Sequence, residues 1–318
     1  MKKLLTTLLM SYSLMVCAQK KQINKEDIMN EESVKKITNI HNQVKRYQYN
    51  PSYTLHIEKA ANFTFEALIN DFPVFEEYNP HVMSGSKPIN EAILKPGKQK
   101  LTIRMTPPVD KEYNMGHEID MENIALKISI NYGEYVLEKV SEFKEALRYE
   151  LPIQKGKLPY YEVNLEFDAI APYQDDIEGW QNGVDLTKED KDKLFQEIED
   201  FYKNIIQDYE NQDVDRLASK YYKKQFEIAQ TNYITKMYES QMVVDAWIKN
   251  VNDGRPFIFD GYMLRFFGNG KMVALVKTDK YYINYSTLMR EDPETGKAVW
   301  YRLFLHRPKP GAPLEVIR

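Results

Sequence analysis

From Tyr53 onward the chain alternates apolar and polar residues with a period of two. Tyr53, Leu55 and Ile57 fall on one face, and Phe63, Phe65 and Ala67 repeat the pattern. Leu101, Ile103 and Met105 follow a Lys95-Pro96-Gly97-Lys98 turn. Leu126, Ile128 and Ile130 come next, then Tyr161, Val163, Leu165 and Phe167. Successive side chains of a strand point to opposite faces. Such runs, broken by Pro, Gly and Asn, predict an antiparallel all-β sandwich over 51–172 with one wet face per sheet.

After 173–186, where Pro, Gly and acids without periodicity predict a linker, the period changes. Leu194, Ile198, Phe201 and Ile205 form one helical stripe, which Phe195, Tyr202, Ile206 and Tyr209 widen. Thr187 with Asp190 reads as a near capping box at its start. Asn211-Gln212-Asp213 breaks this helix and caps a second, carrying Leu217, Tyr221 and Ile228. A third runs through Ile234, Met237, Tyr238, Val244 and Trp247 and ends over Asn250 to Pro256. Strands return over 257–307: Tyr262 to Phe267, Met272 to Val276, Tyr281 to Tyr285 and Ala298 to Leu305, with a turn at Pro293-Glu294-Thr295-Gly296. Helices over 187–250 followed by a meander predict an α+β domain over 187–318. In the polar leader 19–50, Ile28, Val34, Ile37, Ile40 and Val44 recur at helical spacing, as in a short amphipathic helix behind an exposed tether.

The stretch FFGNGKMVALV (Phe266 to Val276) superficially resembles a phosphate loop. A Walker loop needs wider glycine spacing and Lys-Ser/Thr opening a helix. Here Lys271 precedes Met272, and both flanks alternate with period two. Asn-Gly between such runs is a hairpin signal, because both residues tolerate positive φ.

Residues 1–18 have the layout of a secretory signal peptide: basic Lys2 and Lys3, an apolar stretch, and Val16-Cys17-Ala18 before the expected cleavage. The MKKLL…CAQ start resembles export signals of the Bacteroidetes type, which implies a periplasmic or secreted protein. Cys17 is the only cysteine. The alternative is a lipoprotein anchored at Cys17, although Val16 stands where lipoboxes favour a small residue. After cleavage behind Ala18 no disulfide can form, so stability must come from apolar cores. No other run approaches the length of about 20 apolar residues that a transmembrane helix needs.

The length of 318 residues suggests two domains, and 43% hydrophobic content supplies their cores. The formal charge of −4 argues against a nucleic-acid partner. The 23 tyrosines suit strands and binding surfaces. Recognisable chemistry is sparse. Among His41, His56, His81, His117 and His306 no pair has the i, i+4 spacing of helical metal ligands. His117-Glu118-Ile119-Asp120 reads as a solvated loop. Asp175-Asp176 sits in the linker and Glu189-Asp190 in a first helical turn, where acids favour the dipole. There is no Gly-x-Ser-x-Gly elbow and no dinucleotide fingerprint, so no cofactor, metal or catalytic residue is expected.

Two segments carry family resemblances. NFTFEALINDFPVFEEYNP…KPINEAILKPGKQKLTIRMTPP resembles the middle of galactose-binding-like jelly-roll modules. Asn70-Asp71 matches their hairpin, Ile89-Asn90 and Ile93-Leu94 their return, and Gly97 their turn before Leu101 and Ile103. The usual Asn after the glycine is replaced by Lys98 or Gln99. FYKNIIQDYENQDVDRLASKYYKK resembles the nuclear-transport-factor-like (SnoaL-like) cone fold, which encloses a pocket between helices and a bent sheet. That resemblance implies Tyr238, Trp247, Arg265, Tyr282, Tyr301 and His306 as pocket candidates. The leading expectation is non-enzymatic binding to a protein partner in the bacterial envelope, for instance as an immunity-type protein against a periplasmic toxin. The alternatives are a cone-pocket enzyme or ligand carrier, and glycan binding through the sandwich. Fold alone does not choose between them.

Overall fold

Alternation over Pro51–Ala61 produces β1, followed by β2 (Thr64–Ile69), β3 (Phe72–Glu77), β4 (Met83–Pro88) and β5 (Gly97–Thr106). The short β6 (Ile119–Asp120) precedes β7 (Ala125–Val136) and β8 (Lys139–Glu150); the short β9 (Lys157–Leu158) precedes β10 (Tyr161–Ala169). The computed structural model describes residues 22–78, 83–136, 139–292 and 294–318. Residues 1–18, predicted as an export signal, and with them Cys17, lie outside them, as does His81. Two four-stranded antiparallel sheets form, ordered β4-β1-β7-β8 and β10-β5-β2-β3. The alternating apolar rows make the inner faces: Leu55 opposes Ile130, Ile57 opposes Ile128 and Ala67 opposes Ile103. All six are buried in one cluster. Edge strand β8 escaped the sequence reading because KVSEFKEALRYE has no apolar row. Its charges suit an edge that must not recruit another strand.

Asn70 and Asp71 form the predicted two-residue hairpin, with φ of 52° and 64° and Ile69 opposite Phe72. The expectation of one wet face per sheet fails at β2, which is buried at every position. Its second face is covered by the C-terminal half.

That half contributes α3 (Lys191–Glu210), α4 (Val214–Thr231) and α5 (Met237–Val251), then β11 (Tyr262–Phe267), β12 (Met272–Lys277), β13 (Met289–Glu291), β14 (Ala298–Trp300), β15 (Leu305–His306) and β16 (Glu315–Val316). Asp213 caps α4 by accepting from Arg216 N at 2.9 Å, as predicted. At α3 the predicted Thr187 box is replaced: Asp190 is itself the cap, accepting from Lys193 N at 3.0 Å, while Thr187 lies in a preceding 3₁₀ turn. The leader helices α1 (Lys25–Ile28) and α2 (Glu32–Thr38) do not hang on a tether. Ile28, Val34, Ile37 and Ile40 are buried in the C-terminal core, and Asp215 Oδ1 accepts from Ser33 N (2.7 Å) and Val34 N (3.0 Å).

The sheet β11-β12-β15-β16 has two buried faces. Val273, Leu275, Leu305 and Val316 pack with Leu194, Ile198 and Ile205 of α3. Met272, Ala274 and Val276, one residue out of phase, join the sandwich core. Phe72, Trp180, Phe267 and Phe304 meet there at centroid distances of 5.1–5.3 Å. The predicted linker 173–186 is part of this packing, since Tyr173 and Trp180 are buried in it. The chain is therefore β-rich antiparallel first, then helical, then stranded again. The predicted strand at Tyr281 to Tyr285 is instead a turn, and Ala298 to Leu305 is interrupted between β14 and β15.

Candidate functional site

Asp279 explains why 281–285 does not extend as a strand. Its Oδ1 accepts from the backbone N–H groups of Tyr281 and Tyr282, both at 3.1 Å, fixing a local turn. Asn284 then adopts a left-handed φ of 64° and donates its N–H to Lys277 O at 2.9 Å. Tyr281, Tyr282 and Tyr285 are thereby gathered beside Trp300 of β14 around a cleft of about 680 Å³. That volume lies within the roughly 300–1,000 Å³ of small-ligand sites. Tyr285 and Trp300 stack at 4.4 Å. Tyr113, from the sandwich loop after β5, closes the cleft 5.4 Å from Tyr281 and holds a φ of 62°, rare for an aromatic residue.

The polar lining is unbalanced. Asp260, Asp279 and Glu291 face a single cation, Lys277. Lys277 Nζ is already committed to Asp260, donating to its carbonyl at 2.8 Å and its Oδ1 at 2.7 Å. Lys280 Nζ lies 5.1 Å from the Tyr281 ring centroid and donates to Asn114 Oδ1 at 3.0 Å. One ring of the cleft thus already carries an ammonium on its face, the geometry of a cation–π contact. Among the described residues no group of three or more His, Cys, Asp or Glu is placed to hold a metal ion.

The six sequence candidates do not converge. Tyr282 lines the cleft. Trp247 and Tyr301 share a separate pocket between α4 and α5. Arg265 forks onto Glu66 of β2. Buried His306 sits 2.8 Å from Glu315 Oε1 through Nε2. Tyr238 is exposed on α5. The space between α3 and the sheet, where a cone pocket would lie, is filled; there Tyr202 donates its hydroxyl to Leu303 O at 2.7 Å and accepts from Leu275 N at 3.1 Å. Sequence reasoning missed Tyr113, Tyr285, Trp300, Asp279 and Glu291. The one available signal is aromatic density in YYINY (281–285), which by itself also reads as strand propensity.

A scan against family models and searches of curated proteins and of solved structures each found no match. Among the described residues no helix is long and apolar enough to cross a membrane.

Proposed function

We propose that this protein acts by non-enzymatic binding, and that the Tyr281–Trp300 cleft receives a Lys or Arg side chain of a protein partner. The observation that supports it is an aromatic cleft whose carboxylates outnumber its one committed cation. A guanidinium or ammonium entering it meets ring faces, worth roughly 0.5–2 kcal/mol each, and unpaired negative charge. The setting proposed is the bacterial envelope, on the strength of the export pattern in residues 1–18. An immunity-type role is one form such binding takes.

Titration with Arg- and Lys-bearing peptides, followed by tryptophan fluorescence, tests the reading. Wild type should bind them in preference to Glu-bearing peptides, and Trp300→Ala should weaken binding about tenfold. Equal affinity for acidic and basic peptides would overturn it. Capture of neutral oligosaccharides in place of basic peptides would replace it with glycan recognition.

A further inference from the structure

A second pocket of about 410 Å³ opens between α4 and α5, away from the cleft. Its walls are aromatic. Tyr221 meets Trp247 edge-on at 5.9 Å, and Tyr209 stacks on Tyr301 at 5.2 Å. Beside Gln225 and Asn250, its polar lining includes donors that lack a full set of partners. The Tyr221 and Tyr301 hydroxyls are buried and have no hydrogen-bond partner. Lys224 Nζ has one hydrogen bond, to the backbone carbonyl of Arg302 at 3.2 Å, and lies 5.7 Å from the Tyr221 ring. Arg290, outside the pocket lining, holds its buried guanidinium 5.8 Å from the Tyr209 ring and leaves Nε unpartnered.

Unpaired buried donors cost about 1–3 kcal/mol each. An ammonium and two unsatisfied hydroxyls set among aromatic rings are complementary to one kind of molecule. We propose that this pocket binds a small carboxylate with an aromatic or aliphatic body, its oxygens accepting from Lys224 and the tyrosine hydroxyls and its body lying against Trp247. The site is independent of the cleft reading.

The charge pattern agrees. The Arg302 guanidinium is engaged by Glu76 and Pro73 O and the Arg318 guanidinium by Glu227, so those carboxylates are committed elsewhere and Lys224 keeps only the Arg302 carbonyl. Glu91 is the acid whose charge reaches Lys224, and no hydrogen bond joins them. Burial lowers the Lys224 ammonium to about 8; the negative charge of Glu91 opposes this, and Arg302 and Arg318 add to it. Roughly nine in ten molecules are then still protonated at pH 7. A bound anion would favour the protonated form, so affinity should fall as pH rises through about 8.

Isothermal titration of the full chain with 3-phenylpropionate and its matched amide provides the test. The carboxylate should bind at pH 7 at least about tenfold better than the amide, and markedly weaker at pH 9.5. Lys224→Met should lose about tenfold or more, Tyr301→Phe a smaller factor, and Lys224→Arg, which keeps the charge, should retain binding. Far-UV circular dichroism confirms that each variant is folded. Absence of carboxylate binding to wild type, equal affinity for the amide, or an unaffected Lys224→Met variant would each overturn the proposal; the last would assign the unpaired hydroxyls to buried water.

Discussion

Arg265 on β11 grips Glu66 on β2 with both guanidinium nitrogens, each donating to a different carboxylate oxygen. The pair is largely buried and joins strands 199 positions apart. Burial alone would raise the Glu66 pKa. The Arg265 fork and the Tyr78 hydroxyl outweigh it and hold the carboxyl below its usual range. Removing one partner strands a buried charge, so Arg265→Met or Glu66→Gln should cost about 3 kcal/mol or more in urea unfolding. Replacing both by apolar residues should recover part of that loss. An additive double mutant would show that the two side chains are not coupled.

The hairpin between β11 and β12 should not tolerate side chains. Gly268, Asn269 and Gly270 have φ of 59°, 56° and 82°. A Cβ at Gly268 would stand 2.7 Å from Trp180 Cδ1, and one at Gly270 would stand 2.7 Å from Asp185 Oδ1. Gly268→Ala and Gly270→Val should each cost about 2 kcal/mol or more, through left-handed strain plus collision. Thermal melts that match wild type would contradict this. Four residues intervene between Phe267 and Met272, so the loop is longer than a two-residue Asn-Gly turn.

Acid should loosen the C-terminal edge. Glu315 accepts from His306 Nε2 and Lys223 Nζ, which hold its pKa at about 2 despite burial. A depressed acid contributes stability that is full above its unfolded value and lost as pH falls through the folded one. For Glu315 the window runs from about 4.5 down to about 2. Glu315→Gln should be less stable than wild type at pH 6, with the gap closing toward pH 2. A gap constant across that window would refute the assignment.

Lys224 predicts the opposite limb. Its ammonium is depressed to about 8 from 10.5, so between those values the unfolded chain holds more protons than the folded one. Stability should therefore rise with pH across that interval. Lys224→Met should remove the rise, measured as the wild-type-minus-variant unfolding free energy between pH 7 and 10. Buried tyrosines such as Tyr209, whose hydroxyl burial pushes up from its ordinary value of 10, oppose this rise near the top of the window, but they are common to both proteins and cancel in the difference.

Much of the fold was legible because its causes are local. The rows Leu55-Ile57, Ile103-Met105 and Ile128-Ile130 needed only alternation, α3 and α4 only a helical stripe and caps, and α5 only the stripe. Strand β8 was missed because an exposed edge carries no apolar row. The turn at 281–285 was missed because one Asp279 carboxylate overrides the strand propensity of three tyrosines. The candidate site was barely legible. Tyr113, Tyr282 and Trp300 lie far apart in the chain, and no periodicity encodes that their rings converge.

Asn70-Asp71 and Gly268-Asn269-Gly270 show where sequence stops and tertiary structure begins. Each loop was set by residues that accept positive φ, so each hairpin was determined by its own few positions. That they dock was not. Asp71 O accepts from Gly268 N at 3.0 Å, and Asp71 Oδ2 accepts from Asn269 N at 2.9 Å. Backbone conformation is a short-range steric property, written residue by residue. Which hairpin meets which, and which rings share a cleft, follows from burying both faces of one sheet at once, and only the folded chain as a whole decides it.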